Sequence, residues 1–123
     1  EVQAAAASLD SNSYEPLDWS KVNWKGQSAY DHVQDHGEDN KERDKHSVFN
    51  DDPVYTTLEA WQRVQLPKIS PLLQRNGHDC YVVSMGRAVG WKGGSAGTGQ
   101  PFSNVTIIVV PSTNQVVTAY PSP

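Results

Sequence analysis

Three of the four histidines in this chain lie within fifteen positions of one another. His32 and His36 are four residues apart in the stretch DHVQDHG, and His46 follows in KHSVF. An unperturbed imidazole titrates near pH 6.5, so it can accept or release a proton close to neutral pH. This clustering is typical of a proton-transfer site or of a metal site.

A zinc site is one interpretation, because imidazoles at positions i and i+4 of a helix can share a metal ion. In the metalloprotease pattern a glutamate follows the first histidine and acts as the base, whereas Val33 follows His32 here. A third ligand would have to be His46, Asp35 or a later acidic residue. The zinc interpretation therefore stays open on an incomplete motif.

Helices are predicted to position these histidines. Ser28 suits the N-cap of a short helix that carries the first two, and Gly37 is predicted to end that helix as its C′ residue. A charged segment, EDNKERDKH, follows as a loop or a solvated turn. The main helix is predicted over 53–74, with Pro53 in its first turn and a kink or end at Pro67. The stretch ISPLLQRNG is predicted to form a second short helix.

After residue 77 the chain becomes rich in β-branched and aromatic residues. HDCYVVSMGRAVGW, NVTIIVVP and NQVVTAYP predict strands, PSTN predicts a hairpin turn, and KGGSAGTGQP predicts a long flexible loop. The expected fold is α+β, with N-terminal helices packed on a C-terminal antiparallel sheet of three to four strands. Residues 1–25 are linker-like, and residues 26–123 form a single domain. Three tryptophans are assigned to the core: Trp19, Trp24 and Trp61.

The last predicted strand carries two hydroxyl groups on one face. Alternation along a strand directs Val117 and Ala119 to one side, which suits a core face, and Thr118 and Tyr120 to the other. The two hydroxyl-bearing residues would be about 7 Å apart. Threonine and tyrosine are also common at ordinary surface positions of a strand, so the pair indicates a functional site only in combination with the histidines.

Composition limits the classes of function. A chain of 123 residues suits one domain, and no apolar stretch reaches the length of about 18 residues that a membrane span needs. The net charge of −4 is unfavourable for coating nucleic acid through bulk positive charge. Acidic residues cluster in the first half, whereas 63–92 contain five cationic residues and one acid, so a local basic site is compatible with the composition. The N-terminal stretch EVQAAAASLD has no signal-peptide pattern and is expected to be the end of a linker or a point of cleavage from a larger polypeptide.

Two further features have structural explanations. Cys80 lies in HDCYVV close to His78, but a lone cysteine among strand valines is typically a small buried side chain. A single cysteine also excludes an internal disulfide and a zinc site with paired thiolates. The glycine-rich stretch WKGGSAGTGQ lacks the G-K-[ST] ending of a phosphate loop and opens no obvious helix.

The order of these motifs resembles the small nuclease toxins of bacterial polymorphic and contact-dependent inhibition systems. Their fold group is named after barnase, EndoU, the tRNA-cleaving colicins and RelE. The residues that carry the resemblance are His32, His36, Gly37, Lys45, His46 and Phe49, followed by Val117 to Pro121. A subset of these toxins, similar to ribonuclease A, uses a helix histidine, an arginine shortly after it and a Thr-x-Tyr pair on a late strand. The matching residues are His32, Arg43, Thr118 and Tyr120.

The resemblance implies a metal-independent ribonuclease that needs no cofactor, with tRNA as the substrate that the family favours. Histidines would take the proton of the 2′-OH and protonate the leaving 5′-oxygen, a cation would hold the phosphate, and hydroxyls would donate to its oxygens. The expected catalytic residues are His32, His36, His46, Thr118 and Tyr120. The expected substrate-binding residues are Arg43, Lys45 and Trp91, the last as a platform on which a base stacks.

The same resemblance implies delivery and partners. The domain would be the C-terminal part of a larger secreted or surface-delivered effector and would act in the cytoplasm of the target cell. A cognate immunity protein would cover the site in the producing cell. Two alternatives remain, a non-catalytic interaction module that acts through an acidic surface and a metallohydrolase with histidine ligands.

Overall fold

The computed structural model describes residues 16–65, 70–73 and 77–123. The helices are α1 (Ala29–Gln34), followed by a 3-10 turn (Asp35–Gly37), and α2 (Pro53–Gln65). The strands are β1 (His46–Phe49), β2 (Leu72–Leu73), β3 (Asp79–Ser84), β4 (Gly90–Gly93), β5 (Pro101–Phe102), β6 (Asn104–Val109) and β7 (Val116–Ser122). Both helices precede all strands except β1, so the predicted α+β class is confirmed.

Helix α1 is short and well capped. The Ser28 side chain accepts a hydrogen bond from the backbone N–H of Asp31 at 3.1 Å, which satisfies one of the free donors of the first turn. The α-helix tightens into the 3-10 turn, which ends at the predicted residue, Gly37. Ala29 and Val33 point into the core. This anchoring leaves the histidine-bearing face of the helix toward β7.

Helix α2 begins at Pro53, as the sequence predicts, and its described part runs to Gln65. The Asp52 carboxylate accepts the backbone N–H of Tyr55 at 2.8 Å and so caps the helix. The prediction of a short helix in ISPLLQRNG is wrong in its described part, because Leu72–Leu73 form strand β2. These two residues pair with Asp79–Cys80 at the open edge of β3, so the backbone pairing overrides their helix propensity. Pro67 lies outside the described residues.

Two antiparallel sheets form the rest of the fold. The predicted C-terminal sheet has four strands in the order β2-β3-β6-β7. The sequence did not predict a second sheet, whose order is β1-β4-β5. It forms because His46–Phe49 is a strand that pairs with Gly90–Gly93, which comprises the last two residues of a predicted strand stretch and the first two of the predicted flexible loop. The middle of β6 is buried over Val105–Val109, and the hairpin with β7 turns over 110–115, as PSTN predicted.

A β-bulge corrects the predicted faces of β7. Pairing is regular from Asn104↔Ser122 to Ile108↔Thr118 and then shifts, so that Val109 pairs with Val116. The extra residue changes the alternation. Val116 and Ala119 are therefore fully buried, whereas Val117 is only half-buried. Thr118 and Tyr120 keep the predicted common face.

The core lies between the helices and the four-stranded sheet. Its fully buried members are aliphatic, and each contributes roughly 1.5–3 kcal/mol relative to an exposed position. They include Val33, Val64, Val83, Val105, Ile107, Val109 and Val116. Trp61 is also buried and Trp19 packs against this cluster, but Trp24 is 90% exposed, which corrects its assignment to the core.

The described part of the N-terminal segment packs against the domain. Leu17 is buried, and Asp18 forms a bridge with Gln115 beside β7. The Asp18 N–H donates to the carbonyl of Asn114 at 2.8 Å, and the N–H of Val116 donates to the carbonyl of Asp18 at 2.8 Å. Within the described ranges, no helix has the length and apolarity required to cross a membrane.

Candidate active site

A pocket of about 500 Å³ opens between α1 with its 3-10 turn, the small sheet and strand β7. It brings together seven of the eight residues that the sequence nominated: His32, His36, Arg43, Lys45, His46, Thr118 and Tyr120. Seven others complete the lining: Ser47, Lys92, Gln100, Phe102, Pro121, Ser122 and Pro123. Residues as far apart in the sequence as His32 and Pro123 thus meet in one cleft.

His36 is held in a defined tautomer. Its Nδ1 lies 2.7 Å from the carbonyl oxygen of Ser47, and because a carbonyl only accepts, the Nδ1–H donates. In the neutral ring the proton is therefore on Nδ1, and Nε2 keeps its lone pair. The pKa of His36 is lowered to about 4, mainly by burial. The hydrogen bond to Ser47 raises the pKa, whereas repulsion from His46, His32 and Arg43 lowers it further. His36 is therefore a neutral proton acceptor at pH 7.

His32 is oriented through a glutamine. The two imidazole centroids of His32 and His36 are 6.0 Å apart, with planes at 85°. Gln27 donates from Nε2 to the Asp35 carboxylate at 2.8 Å, so its Oε1 accepts from Nδ1 of His32 at 3.3 Å. Burial lowers the pKa of His32, and the negative charge of Asp35 opposes that effect. Nε2 of His32 is left for other partners.

His46 supports the other two histidines. Its ring stacks on His36 with 4.7 Å between centroids and 10° between planes. Nε2 lies 3.1 Å from the carbonyl of Asp35 and 3.0 Å from that of Glu38, so it donates to the backbone of the 3-10 turn. Nδ1 is buried and has no hydrogen-bond partner among the described residues. With 5% of its surface exposed, His46 has the contacts of a positioning residue.

Two hydroxyl groups of β7 complete this side of the pocket. The ring of Tyr120 lies 6.0 Å from the ring of His36. Burial raises the pKa of Tyr120, so its phenol remains a hydrogen-bond donor at neutral pH. The Thr118 hydroxyl is buried and has no hydrogen-bond partner within the described part of the chain. An unsatisfied buried hydroxyl costs roughly 1–3 kcal/mol, which a ligand atom bonded to it would recover.

The opposite side of the pocket is cationic. Arg43, Lys45 and Lys92 line it, no Asp or Glu side chain does, and none of the three cations forms an ion pair within the described residues. In a chain of net charge −4 this is a local concentration of positive charge. It is suited to binding an anion, and the planar fork of arginine matches phosphate oxygens.

Lys92 was missed and Trp91 misplaced for the same reason. The sequence assigned Lys92 to a flexible loop, where no face can be predicted, but both residues lie on β4. Alternation along that strand directs Lys92 into the pocket and Trp91 to the other side of the sheet. Trp91 is accordingly half-buried and absent from the pocket lining. The sequence carried no usable signal for this placement, because two of the four residues of β4 are glycines and the strand has no readable alternation.

The glycine-rich stretch supports the cationic side. A Cβ on Gly93 would lie 2.5 Å from Oδ1 of Asp39, and a Cβ on Gly94 would lie 2.6 Å from the carbonyl of Asp44. Gly94 also has a φ of +88°, which other residues rarely adopt. The N–H of Ser95 donates to the carbonyl of Arg43 at 2.8 Å. These close approaches hold the loop that presents Arg43 and Lys45.

The described residues contain no group of three or more His, Cys, Asp or Glu side chains arranged to hold a metal ion. Nδ1 of His36 and Nε2 of His46 are directed at carbonyl oxygens, so those nitrogens are engaged. The interpretation of His32 and His36 as zinc ligands therefore lacks a third ligand here. Cys80 is half-buried on β3, and burial raises the pKa of its thiol, which opposes formation of the reactive thiolate.

Comparison of the chain with protein-family models, with curated proteins and with solved structures found no match.

Proposed function

We propose that this protein is a metal-independent ribonuclease that cleaves RNA by attack of a 2′-OH on the adjacent phosphate. The observation that carries the proposal is a pocket whose lining, among the described residues, has three imidazoles, the Thr118 and Tyr120 hydroxyls, three cations and no acidic side chain. Each group meets one need of the reaction: a base, an acid, and donors for the charge that grows on the phosphate.

His36 is the proposed base. With its proton held on Nδ1 by Ser47, its Nε2 accepts the proton of the 2′-OH as the oxygen forms a bond to phosphorus. The pKa of about 4 keeps the ring neutral, and the anionic phosphate raises the proton affinity of the ring when substrate is bound. The bond between phosphorus and the 5′-oxygen breaks, and the products are a 2′,3′-cyclic phosphate and a 5′-OH.

His32 is the proposed acid. It protonates the departing 5′-oxygen. Burial lowers the pKa of His32 in the free protein, and the negative charges of Asp35 and of a bound phosphate oppose that effect and favour the charged ring that the transfer needs. Arg43, Lys45 and Lys92 bind the phosphate. Thr118 and Tyr120 donate to its non-bridging oxygens, where preorganised donors contribute most to transition-state stabilisation. His46 holds the plane of His36 by stacking and does not transfer a proton.

The first experiment measures cleavage of a fluorescent RNA oligonucleotide in EDTA, with a DNA oligonucleotide of the same sequence alongside. RNA should be cut to products with a cyclic phosphate, and DNA, which has no 2′-OH, should remain intact. His36→Gln should abolish cleavage. His78→Gln is the matched control, since His78 does not line the pocket, and should leave the rate unchanged. Cleavage of DNA, dependence on added metal, or full activity of His36→Gln would each refute the proposal.

The role as a toxin rests on the resemblance of the motifs. We propose tRNA as the substrate, delivery into a target cell as part of a larger effector, and an immunity protein that covers the pocket. Expression in a bacterial host should arrest growth and shorten tRNA, and His32→Ala should relieve both. A folded His32→Ala protein that still arrests growth would favour the alternative of a non-catalytic interaction module.

A further inference from the structure

Trp24 is exposed although the turn that carries it is rigidly built. Its side chain is 90% exposed, the highest value among the large hydrophobic residues that the structure describes. The Asn23 side chain accepts the N–H of Lys25 at 2.9 Å and of Gln27 at 3.0 Å, and the N–H of Asn23 donates to the carbonyl of Gln27 at 2.9 Å. The indole is therefore presented to solvent on a fixed support, which suits a binding surface.

This turn borders the candidate active site at His32. Asn23, Gln27 and His32 line a common small cavity of about 30 Å³, and Gln27 is hydrogen-bonded to the His32 ring. The Lys25 charge also acts on His32, whose pKa it helps to lower. Trp24 lies between Asn23 and Lys25 in the chain, so it belongs to the turn that borders the candidate site on the His32 side.

The side chains around Trp24 have the chemistry that single-stranded nucleic acid requires. The Lys25 ammonium is 5.2 Å from the centroid of the Trp24 ring, and Lys21 lines the small cavity. An exposed indole can stack on any base, and a neighbouring ammonium can contact the adjoining phosphate. The same segment carries no acidic residue from Lys21 to Ser28. A nucleotide strand that leaves the pocket past His32 would meet this surface next.

We propose that Trp24 and Lys25 form a substrate subsite, in which the indole stacks on a base next to the scissile phosphate and the ammonium contacts the following phosphate. The inference rests on the proposed ribonuclease function, because it places the subsite on the strand that the pocket would cleave. It assigns base stacking to Trp24 in place of Trp91, which lies away from the pocket.

The test uses single-stranded DNA oligonucleotides of two to eight nucleotides, which bind without being cleaved. Their affinities for the full chain are measured by fluorescence anisotropy. Trp24→Ala should weaken binding of the longer oligonucleotides by about five- to tenfold, and Trp24→Phe should restore most of the loss, since a ring remains to stack. Val22→Ala is the matched control, because Val22 is also exposed on this segment but offers no ring. Unchanged affinity of Trp24→Ala would overturn the subsite.

Kinetics on RNA separate this inference from the proposed function. With a long RNA, Trp24→Ala should raise KM about five- to tenfold and leave kcat unchanged, and with a dinucleotide neither should change. If the protein cleaves RNA but Trp24→Ala behaves as wild type, the subsite is wrong and the ribonuclease stands. If no RNA is cleaved but the DNA affinities depend on Trp24, the ribonuclease proposal is refuted and Trp24 is still part of a nucleic-acid-binding surface. Loss of protein-partner binding alone in Trp24→Ala would refute the subsite and identify a protein-docking surface.

Discussion

The two sheets of this protein meet at one pocket but are held in place by different physical means. The four-stranded sheet buries five consecutive residues of β6, four of them aliphatic, and is positioned by hydrophobic packing under the helices. The three-stranded sheet is positioned by close backbone approach at glycines, with Gly90 against β7 and Gly93 against the loop before β1. The first sheet supplies the hydroxyls and the second supplies Lys92, next to the loop with the other cations.

This difference shows how a small domain can separate stability from chemistry. Packing of the large sheet tolerates polar residues on the outer face of β7, because that face is not needed for the core. The small sheet also buries Val48, Phe49 and Phe102, but its closest approaches to neighbouring segments are at glycines, so its placement depends in addition on the absence of side chains at those positions. The four predictions that follow test this division, beginning with the histidine between the sheets.

Replacing His36 with alanine should have the largest effect. Removing a general base typically costs 10²- to 10⁴-fold in rate, and the ring also makes the stacking contact with His46. The initial rate of RNA cleavage measures the loss, and circular dichroism checks that both sheets remain folded. A folded variant that cleaves RNA at more than a tenth of the wild-type rate would show that His36 is not the general base.

Acid should destabilise the protein through the same residue. The pKa of His36 is about 4 in the folded state and near 6.5 in the unfolded chain, so the unfolded state binds more protons between these values. The contribution of His36 to the free energy of unfolding should therefore be nearly constant above pH 6.5, fall by at most about 3 kcal/mol between pH 6.5 and pH 4, and change little below pH 4. Denaturant titrations of wild type and His36→Gln should differ in this range, and parallel curves would contradict the assignment.

Gly90→Ala should distinguish the contributions of the two sheets to substrate binding. The new Cβ would collide with the side chain of Pro121 on β7 and with the carbonyl of Val48 on β1. We expect a loss of stability of about 1–3 kcal/mol and a higher KM for RNA, because the side of the pocket formed by the small sheet is displaced. Ile107→Val, a core change in the large sheet worth about 0.5–1.5 kcal/mol, should leave KM unchanged. Equal effects of both on KM would remove the distinction between the sheets.

Thr118→Val should have the smallest effect on stability, and it should stabilise the protein, whereas the preceding substitutions destabilise it. It removes a buried hydroxyl that has no partner among the described residues, so the unfolding free energy should rise by up to about 1 kcal/mol while cleavage falls about tenfold. Thr106→Val is the matched control, because the Thr106 hydroxyl is bonded to that of Ser122 at 2.7 Å, and its loss should destabilise by about 1 kcal/mol. Thermal denaturation distinguishes the two, and destabilisation by Thr118→Val would show that its hydroxyl is satisfied in the free protein.

Local patterns in the sequence were enough for several elements. Ser28 and Asp52 cap their helices as predicted, the helical segment stops at Gly37 although this glycine does not have the positive φ of a C′ residue, and β-branched runs marked β3, β6 and β7. Patterns failed where an element is short or unusual in composition. The Leu72–Leu73 strand is two residues long, and the strand Gly90–Gly93 is half glycine, so neither has a readable period.

The candidate site divides in the same way. The clustering of the histidines nominated them, and the resemblance to nuclease toxins added Arg43, Lys45 and the roles of Thr118 and Tyr120. They could not reveal Lys92, the support that Gln27 gives to His32, or the exposure of Trp24. Each of those depends on which residues distant in sequence become neighbours.

The chain order thus contains the chemical inventory and the main secondary structure, since both follow from properties of single residues and their near neighbours. Tertiary packing decides the rest. Whether His36 accepts protons or is inert depends on the Ser47 carbonyl and on burial, and whether the cations face the hydroxyls depends on the glycine contacts between two sheets. These are interactions between segments that meet only when the core has formed, and no local pattern encodes them.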